Sequence, residues 1–168
     1  MEEIYSSPVI YLAGPIFGAH DKDCLDWRRT TLERYPSSLD PMRRDYRGAE
    51  DDNIVDIVEW DKIDIDASDI ILANCPIPSA GTSMEIFYAW QKHKVVITVV
   101  PHKSEVSPWI KYHSTIVIDI ISNAFDYIDS ISSLCNGCNR TTVGSPRPKC
   151  GCYNVSYTTI IGYDNDNA

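Results

Sequence analysis

Short apolar runs recur through the first 120 residues, separated by stretches long enough for a helix, and this alternation constrains the fold more than any single motif. The runs are Pro8–Ala13, Asp69–Asn74, Lys94–Val100 and Thr115–Asp119, with a shorter candidate at Ser37–Met42. Gly14-Pro15 closes the first and Pro101 closes Lys94–Val100, as turns close buried strands. Between them, His20–Tyr35 carries Leu25, Arg28, Arg29 and Leu32 at amphipathic spacing and is stopped by Pro36. Asn53 is placed to cap a helix reaching about Ser68, a further helix follows Gly81, and Asn123–Ser132 is the last. Strands alternating with helices specify an α/β fold: a doubly wound, Rossmann-like parallel sheet of five strands in flavodoxin-like order, with helices on both faces. In such a sheet the ligand crevice lies at the carboxyl ends of the strands. That expectation gathers Gly14, Asn74–Gly81 and Pro101–Ser107 around one cleft.

At 168 residues the chain has the length of one ordinary domain, and 43% apolar with 23% charged residues is the balance of a folded one. Fifteen basic against 24 acidic residues give a formal charge of −9, which excludes a broad grip on a nucleic acid polymer. No apolar run approaches the roughly 20 residues that span a bilayer, so no membrane partner is expected. The start, Met-Glu-Glu-Ile-Tyr, is unlike a signal peptide, and a cytoplasmic protein is expected.

Composition shifts after Leu134, dividing an α/β domain at 1–134 from a Cys-rich tail at 135–168. Cys135, Cys138, Cys150 and Cys152 have the number and grouping of a structural zinc site, although one residue between the second pair departs from the usual two. Disulfides or a redox pair are the competing reading. Tyr153–Ile161 alternates enough to add a strand to a small ribbon.

Three residues stand out for chemistry. Thr82-Ser-Met-Glu85 matches a capping box, in which Glu85 would reach back to the Thr82 N–H and need no further role. Its position at the carboxyl edge of a parallel sheet makes an active-site role the alternative. Asp61 continues a stripe begun by Ile54, Ile57 and Val58, where a carboxylate is costly unless paired; otherwise it edges the solvent beside Asp64. Tyr11 lies in the first strand just before its exit turn, either as core or with its hydroxyl at the cleft. Two carboxylates and a tyrosine in one crevice suit glycosyl transfer through a covalent intermediate. A helix N-terminus would keep the nucleophile ionised.

In these residues the chain resembles the nucleoside 2-deoxyribosyltransferase superfamily, which includes the deoxynucleoside 5'-monophosphate N-hydrolases. The resemblance covers roughly residues 8–130 and is carried by Val-Ile-Tyr11-Leu-Ala-Gly14-Pro-Ile-Phe17, by Asp61 before Asp69-Ile-Ile-Leu-Ala, and by Gly81-Thr-Ser-Met-Glu85-Ile-Phe-Tyr-Ala89. It implies that Glu85 is the nucleophile, that Asp61 contacts the sugar and helps protonate the leaving base, and that Tyr11 and Gly14 belong to the site. The transferases usually carry an aspartate six residues before the glutamate; here stands Ser79, as in the hydrolase branch, where a serine binds phosphate. A second phosphate-binding serine, from a neighbouring subunit, falls on Ser107, which implies a homodimer or larger assembly. A phosphate would also suit Gly81 and Thr82 at the helix start. The turn after Tyr11 lacks the serine and arginine of that branch, so Phe17 stacks on a base or closes the pocket, while Arg43, Arg44 and Arg47 are available to supply charge.

The expected reaction is attack of Glu85 on C1' as the base departs with help from Asp61, without a catalytic cofactor. Water then completes a hydrolase and a second base a transferase acting on free nucleosides. A reading of another class is a nucleotide-binding or sensor module, against which two facing carboxylates count.

Overall fold

The computed structural model describes residues 8–101 and 105–135. Strands β1 (Ile10–Ala13), β2 (Ile70–Asn74), β3 (Val95–Val99) and β4 (Ile116–Ile118) form one sheet in that order. Every neighbouring pair is parallel, with Tyr11 beside Ile71, Leu72 beside Ile97 and Val99 beside Ile118. The apolar runs become strands because both their faces are covered: β1 and β3 are buried throughout and β2 as far as Ala73. Each such Val, Leu or Ile contributes roughly 1.5–3 kcal/mol on burial, well above intrinsic strand preference.

The sheet has four strands among the described residues, and not the five expected. Ser37–Met42 contributes a single parallel bridge, Leu39 to Tyr11, with Leu39 N–H donating to the Ile10 carbonyl at 2.7 Å and the Leu39 carbonyl accepting from Leu12 N–H at 3.0 Å. Pro36 and Pro41 bracket the segment, and the Asp40 side chain accepts from Met42 N–H at 2.9 Å to start a 3-10 turn, Pro41–Arg44. A proline cannot extend the ladder, so pairing ends after one residue. The bridge lies on the free edge of β1, outside the first strand, where a flavodoxin-like order places its second.

Helices α1 (Asp21–Arg34) and α5 (Ile121–Cys135) cover one face of the sheet through Trp27, Ala124, Phe125 and Ile128. Helices α2 (Ile54–Ala67) and α3 (Ala80–Gln91) cover the other through Ile65, Ile86 and Ala89. The sequence reading has no counterpart for the short α4 (Pro108–Tyr112), which starts with proline at its first position under a Ser107 cap.

Two helical faces differ from expectation, and both differences bear on the site. In α1 the buried residues are Cys24, Trp27, Arg28 and Thr31, while Leu25 is exposed. In α2 the inward residues are Asp64 and Ile65, with Ile57 and Asp61 partly covered; Ile54, Val55 and Val58 face outward. Among the described residues no helix is long and apolar enough to cross a membrane. Cys135 is the last residue of α5, whereas Cys138, Cys150, Cys152 and the expected ribbon lie outside the described residues.

Candidate active site

At the carboxyl end of β1 the chain turns through Gly14, against α1 and the end of β2. A Cβ on Gly14 would stand 2.9 Å from Trp27 Cζ2 and 3.0 Å from the Asn74 carbonyl oxygen, so only glycine lets the three elements close. The Gly14 carbonyl accepts from Arg28 Nη2 at 3.0 Å. Arg28 is fully buried beneath the turn, donating also to the Cys24 carbonyl at 2.6 Å and paired through Nε with Asp40 at 3.2 Å. A guanidinium can sit there because carbonyls and one carboxylate surround it.

Helix α3 begins three residues earlier than the capping-box reading places it. Ser79 is the cap, its Oγ accepting from Thr82 N–H at 3.3 Å. Glu85 therefore lies in the second turn and has no terminal N–H to satisfy, which removes the capping role. Its Oε1 instead accepts from the Tyr11 hydroxyl at 2.7 Å. Its Oε2 is buried with no hydrogen-bond partner, and so is the hydroxyl of Thr82 one turn earlier. Buried polar oxygens left unpaired are uncommon in folded proteins, and these two border the same cleft.

The expectation that the helix N-terminus keeps Glu85 fully ionised is not met. Burial first, then the nearby charge of Asp61, push its carboxyl up to about 7, with Tyr11 and Arg28 pulling the other way. Near neutrality it titrates. Asp61 is also raised, chiefly by burial, with Arg44 and Tyr11 opposing and Asp64 reinforcing. Tyr11 is raised well above the usual tyrosine value by burial and by the charges of Glu85 and Asp61, so it remains a hydrogen-bond donor.

One cleft is lined by Gly14, Phe17, Asp61, Ser79, Gly81, Thr82 and Glu85, so the fold brings these seven of the residues picked from the sequence together. Tyr11 reaches it through Glu85. Phe17, 82% exposed, stands at the mouth. Two picks lie elsewhere. Arg43 turns from the cleft to Asp64, at 2.6 Å, while Arg44 and Arg47 face inward. Ser107 caps α4 and borders a separate groove with Met84, Phe87 and Trp109, so Pro101–Ser107 contributes no described residue to the cleft.

Sequence reasoning missed Arg28, Asp64, Tyr46 and Glu50. The first two carry a signal in hindsight: Cys24, Trp27, Arg28 and Thr31 share one helical stripe, and so do Ile57, Asp61, Asp64 and Ile65. Read by hydropathy alone, charged residues do not mark a buried stripe. Chemically, the cleft offers a carboxylate with one oxygen held and one unpaired, and a second carboxyl across from it. Hydroxyls, a helix start and two arginines line the same cleft.

The family model described as nucleoside 2-deoxyribosyltransferase matches residues 10–144. Among solved structures, the Clostridium botulinum CMP N-glycosidase BcmB is similar, with 19% identity, 71% of this chain and 97% of that chain covered, and a TM-score of 0.47. Among curated proteins nothing matches the chain.

Proposed function

The chain belongs to the nucleoside 2-deoxyribosyltransferase family, a family of glycosyl-transferring enzymes, and from that premise we propose that it cleaves the N-glycosidic bond of a (deoxy)nucleoside 5'-monophosphate through a glycosyl intermediate on Glu85. The observation that carries this reading is the state of Glu85. Tyr11 holds one oxygen at 2.7 Å, and the other oxygen is buried and unpaired in a residue that lines the cleft.

In this mechanism Glu85 Oε2 bonds to C1' as the bond to the base breaks and its electron pair leaves with the base nitrogen. Asp61 delivers a proton to that nitrogen. Water then attacks C1', Glu85 leaves as carboxylate, and the water proton passes to Asp61. Tyr11 orients the nucleophile and spreads its charge through a hydrogen bond. No metal or organic cofactor takes part in these steps.

A 5'-phosphate finds its partners at the start of α3: the Ser79 and Thr82 hydroxyls and the N–H groups beside Gly81, with Arg44 and Arg47 lining the same cleft. The free Thr82 hydroxyl supports this, since it has no partner of its own. Phe17 at the mouth is placed to stack on the base. Ser107 shares no wall with this cleft, so it would meet a phosphate only from a second copy. The chain is accordingly read as a homodimer or larger homo-oligomer working in the cytoplasm, where nucleotides are available.

A second reading, base exchange between free deoxynucleosides, is favoured by the description of the matched family itself. Incubation with each nucleoside and its 5'-monophosphate, with and without a second free base, separates the two. Release of base from the monophosphate without an acceptor supports hydrolysis; a new nucleoside formed only when a second base is present overturns it in favour of transfer.

A further inference from the structure

Where the 3-10 turn packs on α2, two guanidiniums meet two carboxylates. Asp64, buried to 4% exposure, accepts at Oδ1 from Arg43 Nη2 and at Oδ2 from Arg44 Nη2, each at 2.6 Å. The same Arg44 Nη2 stands 3.4 Å from Asp61 Oδ1. The Arg44 guanidinium also lies 5.5 Å from the centre of the Trp60 ring, which restricts its swing. One nitrogen is thus divided unequally: a bond of 2.6 Å is a strong charge-assisted one, whereas 3.4 Å lies beyond the usual hydrogen-bond range and makes a weaker contact. Asp64 itself does not border the cleft; Arg44 and Asp61 do.

We propose that Asp64 is a positioning residue that holds Arg44 off Asp61, so that the Asp61 carboxyl stays free to give and take a proton in the cleft. The role rests on the reading of Asp61 as the group that assists departure of the base. Delivery of a proton from Asp61 to the leaving nitrogen requires a protonated carboxyl, and the same oxygen must accept a proton when water enters. A guanidinium closed on Asp61 in a two-bond fork would favour the carboxylate and oppose the first step. By drawing the nitrogen towards itself, Asp64 leaves Asp61 a partial share of the positive charge.

Asp61 is faced by Tyr11 from β1, Glu85 from α3, Arg44 from the 3-10 turn and Asp64 on its own helix. Arg47, Asp45 and Glu50 border the same cleft. Burial and Asp64 favour the protonated form, Arg44 and Tyr11 the ionised one. Arg44 is the contributor that Asp64 can move, so the two residues have opposite predicted effects. Loss of charge at either residue moves the Asp61 midpoint in these same directions, so the positioning role is read from the Arg44→Gln background. There Asp64→Asn is expected to lower the midpoint much less than it does in the presence of Arg44, and an equal lowering in both backgrounds overturns the proposal.

The test is direct titration of the Asp61 carboxyl by 13C NMR in ligand-free protein labelled at aspartate, the signal being assigned by its loss in Asp61→Asn. Asp64→Asn is expected to lower the Asp61 midpoint by about one pH unit, as the guanidinium closes on Asp61, and Arg44→Gln to raise it by a similar amount. Arg43→Gln, which removes a tie to Asp64 without touching Arg44, moves it less than either. An unchanged or raised midpoint in Asp64→Asn overturns the proposal. Should that variant not fold, Arg44→Gln decides: a midpoint that does not rise overturns it equally. In turnover at pH 7, Asp64→Asn loses about tenfold in kcat with KM unchanged, and an unchanged kcat contradicts the role. A wild-type protein without turnover would count against the proposed function, while the titration still decides the placement of Arg44.

Discussion

Glu85 shows how far a single residue can be read before and after folding. From sequence, the tetrapeptide Thr82-Ser-Met-Glu85 serves a cap or a nucleophile equally well, because a capping box needs only the right spacing. What decides is where α3 starts, and that is set by Ser79, whose hydroxyl receives Thr82 N–H. Tyr11 was legible because it stands in an apolar run just before its exit turn. Arg28 and Asp64 were not, since burying a charge depends on partners distant in sequence: Asp40 for one, Arg43 and Arg44 for the other.

The raised Glu85 carboxyl has a consequence for stability. The folded protein keeps the Glu85 proton up to about 7, against an ordinary value of 4.5, so the unfolded chain releases it first as pH rises. The associated stability is present below pH 4.5 and is lost between there and pH 7. Glu85→Gln carries no such loss. Relative to wild type it is expected to gain about 3 kcal/mol between pH 4.5 and pH 8, read from thermal or urea unfolding at the two pH values. A difference independent of pH would show that Glu85 titrates normally. In catalysis the sign reverses, since attack requires the carboxylate. Wild-type kcat/KM should therefore rise tenfold per pH unit below about pH 7 and level off above it, as far as the Asp61 limb allows.

Among the elements, the carboxyl end of the sheet and the start of α3 do the positioning. β1 delivers Tyr11 and the turn after it Gly14, while Ser79 caps α3 and Gly81 lies in its first turn. Ser79→Ala removes the cap and is expected to cost about 1 kcal/mol of stability. If the phosphate sits on this helix start, the same change raises KM for a 5'-monophosphate several-fold or more and leaves a free nucleoside unaffected. Equal effects on both substrates would reduce Ser79 to a cap. Gly14→Ala is expected to destabilise by 2 kcal/mol or more, about the size of an overpacked core site, because its Cβ meets Trp27 at 2.9 Å. The missing second strand is an element-scale lesson as well. Apolar content at Leu39 suggested pairing, but Pro36 and Pro41 leave room for one bridge only.

For the molecule as a whole, the alternation of apolar runs and helical segments made the parallel sheet and its layers legible in advance, because covering both faces of a strand demands that pattern. The outer surfaces of the helices were less legible. Met84, Phe87, Trp109 and Tyr112 on α3 and α4 are all exposed, as are Ile54, Val55 and Val58 on α2. Periodicity placed Ile54 and Val58 inward, and it gave no warning of apolar side chains on an outer face. Such side chains accord with the proposed homo-oligomer. Sedimentation velocity is expected to find a dimer or larger species, and Trp109→Glu to shift it towards monomer; a monomeric wild type would rule out a Ser107 contribution in trans.

The central claim is that Glu85 carries the glycosyl group. Its most direct test is base release from a nucleoside 5'-monophosphate by wild type and by Glu85→Ala, with circular dichroism and thermal unfolding establishing that the variant is folded. The account predicts release by wild type and a loss of at least about 1,000-fold in folded Glu85→Ala. Release by Glu85→Ala at a rate near wild type would contradict it.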